Sequence, residues 1–168
     1  MPCPIARGLD RVGEWWSMLI LRDAFAGLSR FDEFQRSLGI APTMLARRLN
    51  ALVESGMLER RRYNERPPRD EYVLTESGAD FRPVLVALMA WGNRHFAPEG
   101  ASIEIVDSRT GVPADPVLVD RASGRPVAAP DFALAAGPAA TEAVRRRLAR
   151  GSGLLGGPPA PPDGEAAP

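Results

Sequence analysis

The stretch from Phe31 to Thr75 constrains the fold most, because it reads as a helix, a tight turn, a second helix and a strongly basic hairpin. Phe31, Phe34 and Leu38 recur at helical spacing, and Gly39-Ile40 breaks the run. Pro42 then falls where a helix tolerates proline, in its first turn. Leu45, Leu49, Leu52 and Val53 follow at i, i+4, i+7 and i+8, which is one buried stripe, and Gly56 ends the helix. The opposite face, near the N-terminus of this second helix, is expected to carry Thr43, Met44, Arg47 and Arg48. A face of this kind can enter the major groove of DNA, where an arginine makes two bonds to a guanine edge. Taken alone, it is more readily read as a solvated helix with two ordinary surface arginines.

The following segment separates those readings. Met57-Leu58 and Tyr72-Val73-Leu74 are apolar, strand-like runs that flank a stretch rich in arginine. From Arg36 to Arg69 there are eight arginines against three acids, a local excess of five positive charges in a chain whose net charge is zero. A plain solvated loop has no need of charge of one sign. A positive hairpin after a helix-turn-helix is a wing, gripping phosphates while the helix reads bases. Arg61, Arg62, Arg66 and Arg69 are the candidate phosphate contacts on the wing, with Arg30 at the start of the preceding helix. Pro67-Pro68 stiffens the tip and removes two backbone donors.

Composition narrows the alternatives. The chain of 168 residues is 25% charged and suits one globular domain with appendages, with the cytoplasm as the expected compartment. No apolar run approaches the roughly 18 residues of a membrane helix, and the first residues lack a signal-peptide core. One cysteine excludes an intramolecular disulfide, and one histidine excludes a multi-histidine metal site. No lysine is present, so every basic side chain is an arginine, whose planar fork suits phosphate and guanine. No paired His/Cys or Ser/His, glycine-rich phosphate loop or metal cluster is apparent, so neither an enzyme nor a cofactor is expected.

Taken in order, Ile5, Leu9 and Val12 mark a short amphipathic helix, interrupted at Gly13-Glu14. Trp15 to Phe25 is apolar around most of its circumference, as befits a core helix or one between a core and a second subunit. Ser29 is the expected cap of the helix at Phe31. After the wing, Thr75 is expected to cap one long helix to about His95, with Pro83 kinking it from inside. Phe81, Leu85, Leu88 and Gly92 give that helix an apolar face too large for the upstream residues to cover. A symmetric dimer through the terminal helices is the economical solution, with Ile5, Leu9, Phe81, Leu85, Leu88 and Gly92 at its interface. Trp15, Trp16, Met18, Phe25, Met89 and Trp91 could line a pocket for a small aromatic or electrophilic effector, or be plain core.

Beyond Pro98 the texture changes. Val106-Asp107-Ser108-Arg109-Thr110-Gly111 returns 13 residues later as Val119-Asp120-Arg121-Ala122-Ser123-Gly124, which predicts two small β-hairpins with aspartate-organised turns. The expected organisation is a winged helix-turn-helix and dimerisation domain over 1–97, a hairpin-repeat appendage over 98–136, a short helix within 137–150 and a disordered tail over 151–168. The fold class is α+β, mainly α, with terminal dimerisation helices.

Residues 3 to 96 resemble the HxlR-type branch of the MarR-like winged-helix regulators. The resemblance rests on Cys3-Pro4-Ile5, Trp16-Ser17-Met18-Leu19-Ile20-Leu21-Arg22-Asp23, Arg30-Phe31-Asp32-Glu33-Phe34 and Leu38-Gly39-Ile40-Ala41-Pro42. It continues through Leu45-Ala46-Arg47-Arg48-Leu49, Gly56-Met57-Leu58-Glu59-Arg60, the wing from Tyr63 to Arg69, and Tyr72 to Gly78. It implies a dimeric repressor on a pseudo-palindromic operator in double-stranded DNA. Cys3 stands where relatives that sense oxidants carry a reactive cysteine, which implies a redox sensor or else an inert terminal thiol. Relatives with a zinc ribbon carry His-x-x-Cys-Gly and Cys-x-x-Cys-Gly, where this chain has Asp107-x-x-Thr110-Gly111 and Asp120-x-x-Ser123-Gly124. Without thiolates or imidazole, ribbon-like hairpins without metal are expected. The rival readings are a constitutive DNA binder and a protein-interaction module that ignores DNA.

Overall fold

Seven leucine-class and aromatic side chains hold the helical part together. In a computed structural model describing residues 3–150 and 153–155, Ile20, Leu21, Phe34, Leu45, Leu49, Leu52 and Leu58 are all less than 2% exposed. They come from four elements: α2 (Trp15–Phe25), α3 (Phe31–Leu38), α4 (Pro42–Glu54) and β1 (Leu58–Glu65). Full burial of one such side chain contributes about 1.5–3 kcal/mol, so this cluster seats the recognition elements. The remaining elements are α1 (Pro4–Val12), β2 (Pro68–Leu74), α5 (Glu76–Ala79), α6 (Arg82–Phe96), α7 (Glu142–Ala149) and a 3-10 turn at Gly153–Leu155. The chain is thus mainly helical with a two-stranded antiparallel hairpin, a winged helix-turn-helix fold. The described residues fall into two units, Ile5–Pro116 and the remainder.

The turn between α3 and α4 follows from Gly39, whose φ of 60° is left-handed and lets its N–H donate to the Gln35 carbonyl at 2.9 Å. Ile40 is buried behind it, and Pro42 opens α4. Ser29 does not cap α3 as expected. Arg30 occupies the cap position, and the Glu33 carboxylate accepts from the N–H groups of Ser29 (3.0 Å) and Arg30 (2.9 Å). Those two donors hold the Glu33 carboxyl below its ordinary range.

Ser29 is instead committed to a sheet. The Tyr72 N–H donates to its carbonyl at 2.7 Å, and Arg30 forms a bridge to Glu71. This single bridge covers the side of β2 away from β1 at Glu71. The β1–β2 register runs from Leu58↔Leu74 through Arg60↔Tyr72 and Arg62↔Asp70 to Glu65↔Pro68. An irregularity between Arg62 and Asn64 leaves Tyr63 without a register partner.

The expected single helix from Thr75 to His95 is two helices. Thr75 does cap the first, its hydroxyl accepting from the Gly78 N–H at 3.0 Å and donating to the Gly56 carbonyl at 2.6 Å. That helix ends at Ala79. Pro83 then sits in the first turn of α6, where its missing N–H leaves no helical bond unmade, rather than kinking an interior. Gly78 is required by contact, because a Cβ there would lie 2.1 Å from the Met57 carbonyl oxygen.

The repeat at 13-residue spacing is reproduced bond for bond. Ala114 donates to Ile105 (2.8 Å) and Asp107 to Val112 (2.9 Å); Val127 donates to Leu118 (2.9 Å) and Asp120 to Arg125 (2.8 Å). Each hairpin closes on a single bridge, Val106↔Pro113 or Val119↔Pro126, since proline cannot extend the ladder. Asp107 accepts from the N–H of Arg109 and Thr110, and Asp120 from the hydroxyl and N–H of Ser123, which hold the Asp120 carboxyl low. Thr141 caps α7 through the Val144 N–H at 3.4 Å. The expected tail lies outside the described residues except for the 3-10 turn.

Candidate nucleic-acid interface

At 3.6 residues per turn, Arg47 lies roughly 160° around α4 from Leu45, whereas Arg48 lies only about 60° from it. The structure follows that arithmetic. Thr43 and Arg47 are exposed on the outer face. Met44 is half-buried against the core, with its sulfur 3.6 Å from Arg47 Nη2. Arg48 does not share the outer face. Its side chain is 13% exposed, and Nη2 pairs with Glu14 Oε2 at 2.7 Å. Asn50 is exposed on the outer side and accepts from Arg60 Nη2 at 2.5 Å, joining α4 to the wing. Neither Asn50 nor Glu14 carried a signal in the sequence, because each acts through an arginine distant along the chain.

The wing sorts its arginines by their neighbours. Arg61 pairs with Glu59 on the same strand face. Arg62 pairs with Asp70 across the hairpin at 2.6 Å and with Glu65 at 3.8 Å, and the Asp70 hydrogen bond holds its proton more tightly than usual. Arg66 and Arg69, beside the tip, are exposed and have no acidic partner among the described residues. Arg30 lies 4.7 Å above the ring of Tyr63, the residue at the strand irregularity. Arg47, Arg66 and Arg69 therefore present positive charge with no acidic partner among the described residues, Arg30 shares its charge with Glu33, and Arg48, Arg61 and Arg62 arrive neutralised.

The other expected sites divide. Ile5, Leu9 and Leu88 are 59%, 54% and 45% exposed, whereas Phe81 and Leu85 pack against the core and Gly92 is half-buried. Helix α6 buries none of its residues. The six residues considered for an effector pocket make separate contacts. Trp15 stacks on Trp16 at 3.9 Å, Met18 packs on the core, Phe25 lies under Arg82, and Trp91 meets Phe96 edge-on. Met89 alone of the six lines a cleft of about 390 Å³ beside Asn93, Arg94, Ile105 and Pro113. Cys3 is half-buried. Among the described residues no helix is long and apolar enough to cross a membrane, and no group of three His, Cys, Asp or Glu side chains could hold a metal.

Residues 11–100 match the family model described as HxlR-like helix-turn-helix. The chain belongs to this family. An uncharacterised HTH-type transcriptional regulator of Mycobacterium tuberculosis (strain ATCC 25618 / H37Rv) is 41% identical over 135 residues, which is 80% of this chain and 85% of the relative. A solved Pseudomonas aeruginosa structure, a candidate transcription factor, is 57% identical and superposes with a TM-score of 0.64 over 87% of this chain and all of the other. The redox regulator HypR in its oxidized form is 33% identical, with a TM-score of 0.51 over 55% of this chain and 97% of HypR. HxlR-like membership makes the chain a DNA-binding transcriptional regulator of helix-turn-helix type, not an enzyme.

Proposed function

We propose that the protein is a dimeric repressor that occupies a pseudo-palindromic operator in the cytoplasm, α4 in the major groove and the wing along the flanking phosphates. The observation that carries this reading is the placement of Arg47, Arg66 and Arg69 on the recognition helix and around the wing, without acidic partners among the described residues, with Arg30 beside Tyr63 of the wing. Uncompensated guanidinium groups release counterions from the DNA when they meet phosphates, whereas paired ones have less to gain. Dimerisation through α1 and α6 is supported by Ile5, Leu9, Val84, Leu88 and Trp91, all exposed in the protomer. Two copies then present two α4 helices to successive half-sites.

Thiol oxidation at Cys3 is the better supported of the two switching mechanisms, since a structural neighbour, HypR, is a redox regulator seen in both oxidized and reduced forms. A small ligand is less supported, because of the residues considered for its pocket only Met89 lines the cleft beside Asn93 and Arg94. Fluorescence anisotropy on the DNA upstream of its own gene, against a scrambled duplex over a range of salt, tests the reading. Tighter binding to the native fragment at one dimer per site is the expected result, weakened by oxidant in the wild type but not in Cys3→Ser. Equal affinity for both duplexes would overturn the operator model, and an unchanged oxidant response in Cys3→Ser would remove the thiol from it.

A further inference from the structure

Arg48 combines two properties that a DNA-contacting arginine should not have. Its charge is already met by Glu14, and its Nε is buried with no acceptor among the described residues. With Arg48 shielded but the Glu14 carboxylate 57% exposed, the pair contributes little net stability, and its use is to hold one arrangement of the two elements over another. What it fixes here is the seat of α4.

Glu14 is suited to that task because its backbone is held at a sharp corner between α1 and α2. The Gly13 N–H donates to the Leu9 carbonyl at 2.6 Å, and a Cβ on Gly13 would sit 2.4 Å from that oxygen. The Glu14 carbonyl in turn accepts from Ser17 N–H at 2.8 Å, at the start of α2. The carboxylate that receives Arg48 is therefore anchored to the end of the helix bearing Ile5 and Leu9.

We infer that Arg48 is a positioning residue rather than a DNA contact: its pairing with Glu14 ties the recognition helix to the α1–α2 corner and sets which bases Arg47 can reach. The inference rests on the operator-binding reading above and deepens it. It also gives the α1 face a mechanical route to α4, so that any displacement of α1 in the assembled protein is transmitted to base readout through one ion pair.

The test compares full-length wild type with Glu14→Gln, Arg48→Met and the double variant, measuring anisotropy on operator and scrambled duplexes over a range of salt. Arg48→Met preserves side-chain volume, and Glu14→Gln alters an exposed carboxylate, so the second variant decides the matter if the first fails to fold. Each single change is expected to weaken operator binding by about 10-fold and scrambled binding hardly at all, with the salt slope unchanged. The double variant should lose no more than either single one. Two results would overturn the inference. One is a loss of affinity in Arg48→Met for both duplexes alike with a slope reduced by about one, the mark of a phosphate contact. The other is operator affinity in Glu14→Gln equal to or above wild type. A wild type without operator preference would instead sink the operator-binding reading itself.

Discussion

Arg62 and Arg66 stand four residues apart on the wing and differ in what surrounds them. Asp70 takes up the charge of Arg62 at 2.6 Å, while Arg66 has no acidic partner among the described residues. Arg66→Ala should therefore weaken binding to every duplex and flatten the dependence of log K on log salt by about one unit. Arg62→Ala, assayed the same way, should leave that slope nearly unchanged, and equal slopes for the two variants would contradict the division. Arg47→Ala belongs to a different class. It should relax preference at one or two base pairs by about 1–3 kcal/mol, read from operator variants substituted one pair at a time. Sequence reading put Arg61, Arg62, Arg66 and Arg69 in one phosphate-contacting class and Arg48 beside Arg47; Asp70, across the hairpin, and Glu14, on a distant element, divide them in a way that local counting of Glu59 and Glu65 did not reveal.

At the scale of elements, α5 and α3 offer two stability tests. Gly78→Ala drives a Cβ into the Met57 carbonyl, backbone against backbone, and should destabilise the fold by roughly 1–3 kcal/mol in urea unfolding. Glu33→Ala removes the acceptor that closes the first turn of α3. Since folding lowers the Glu33 pKa from 4.5, its contribution is fully present above that value and is lost as pH falls through the lowered one. The wild type and Glu33→Ala should thus differ in urea midpoint at neutral pH and converge on acidification; a pH-independent gap would assign the loss to packing. The main elements were legible because their signals are local: the leucine stripe of α4, the turn at Gly39 and the repeat at 13 residues. What sequence reading missed was pairing at a distance. Ser29 looked like a cap because capping is a local rule, but its hydroxyl donates to the Glu71 carboxylate at 3.3 Å and its carbonyl accepts from Tyr72, both far along the chain. Pro83 was read as interior to a helix because nothing local announced the break after Ala79.

For the whole molecule, the decisive quantity is how many copies assemble. Helix α6 carries Val84, Leu88 and Trp91 at spacings of four and three, all roughly half exposed, and no residue of α6 is buried. On the proposed assembly through α1 and α6, Leu88→Glu should leave monomers in sedimentation velocity and sharply reduce operator affinity, because each half-site would then be bound alone. A dimer that survives this change would place the interface elsewhere. The net charge of zero matters here too, since a chain with no overall repulsion has little to discourage unwanted association.

The wing meets that hazard at its own border. The Arg30 bridge covers β2 at Glu71 on one side, while the outer edge of β1 has no strand beside it among the described residues. An open rim invites another chain to add a strand, and Arg60, Arg61 and Arg62 stud this one with bulky charge. Two of these arginines are neutralised by acids and thus poorly placed to attract DNA, yet their size and hydration still oppose the stacking of sheet on sheet that begins a fibril. Arg61 and Arg62 thus have a use on the wing apart from DNA: they protect the protein from itself.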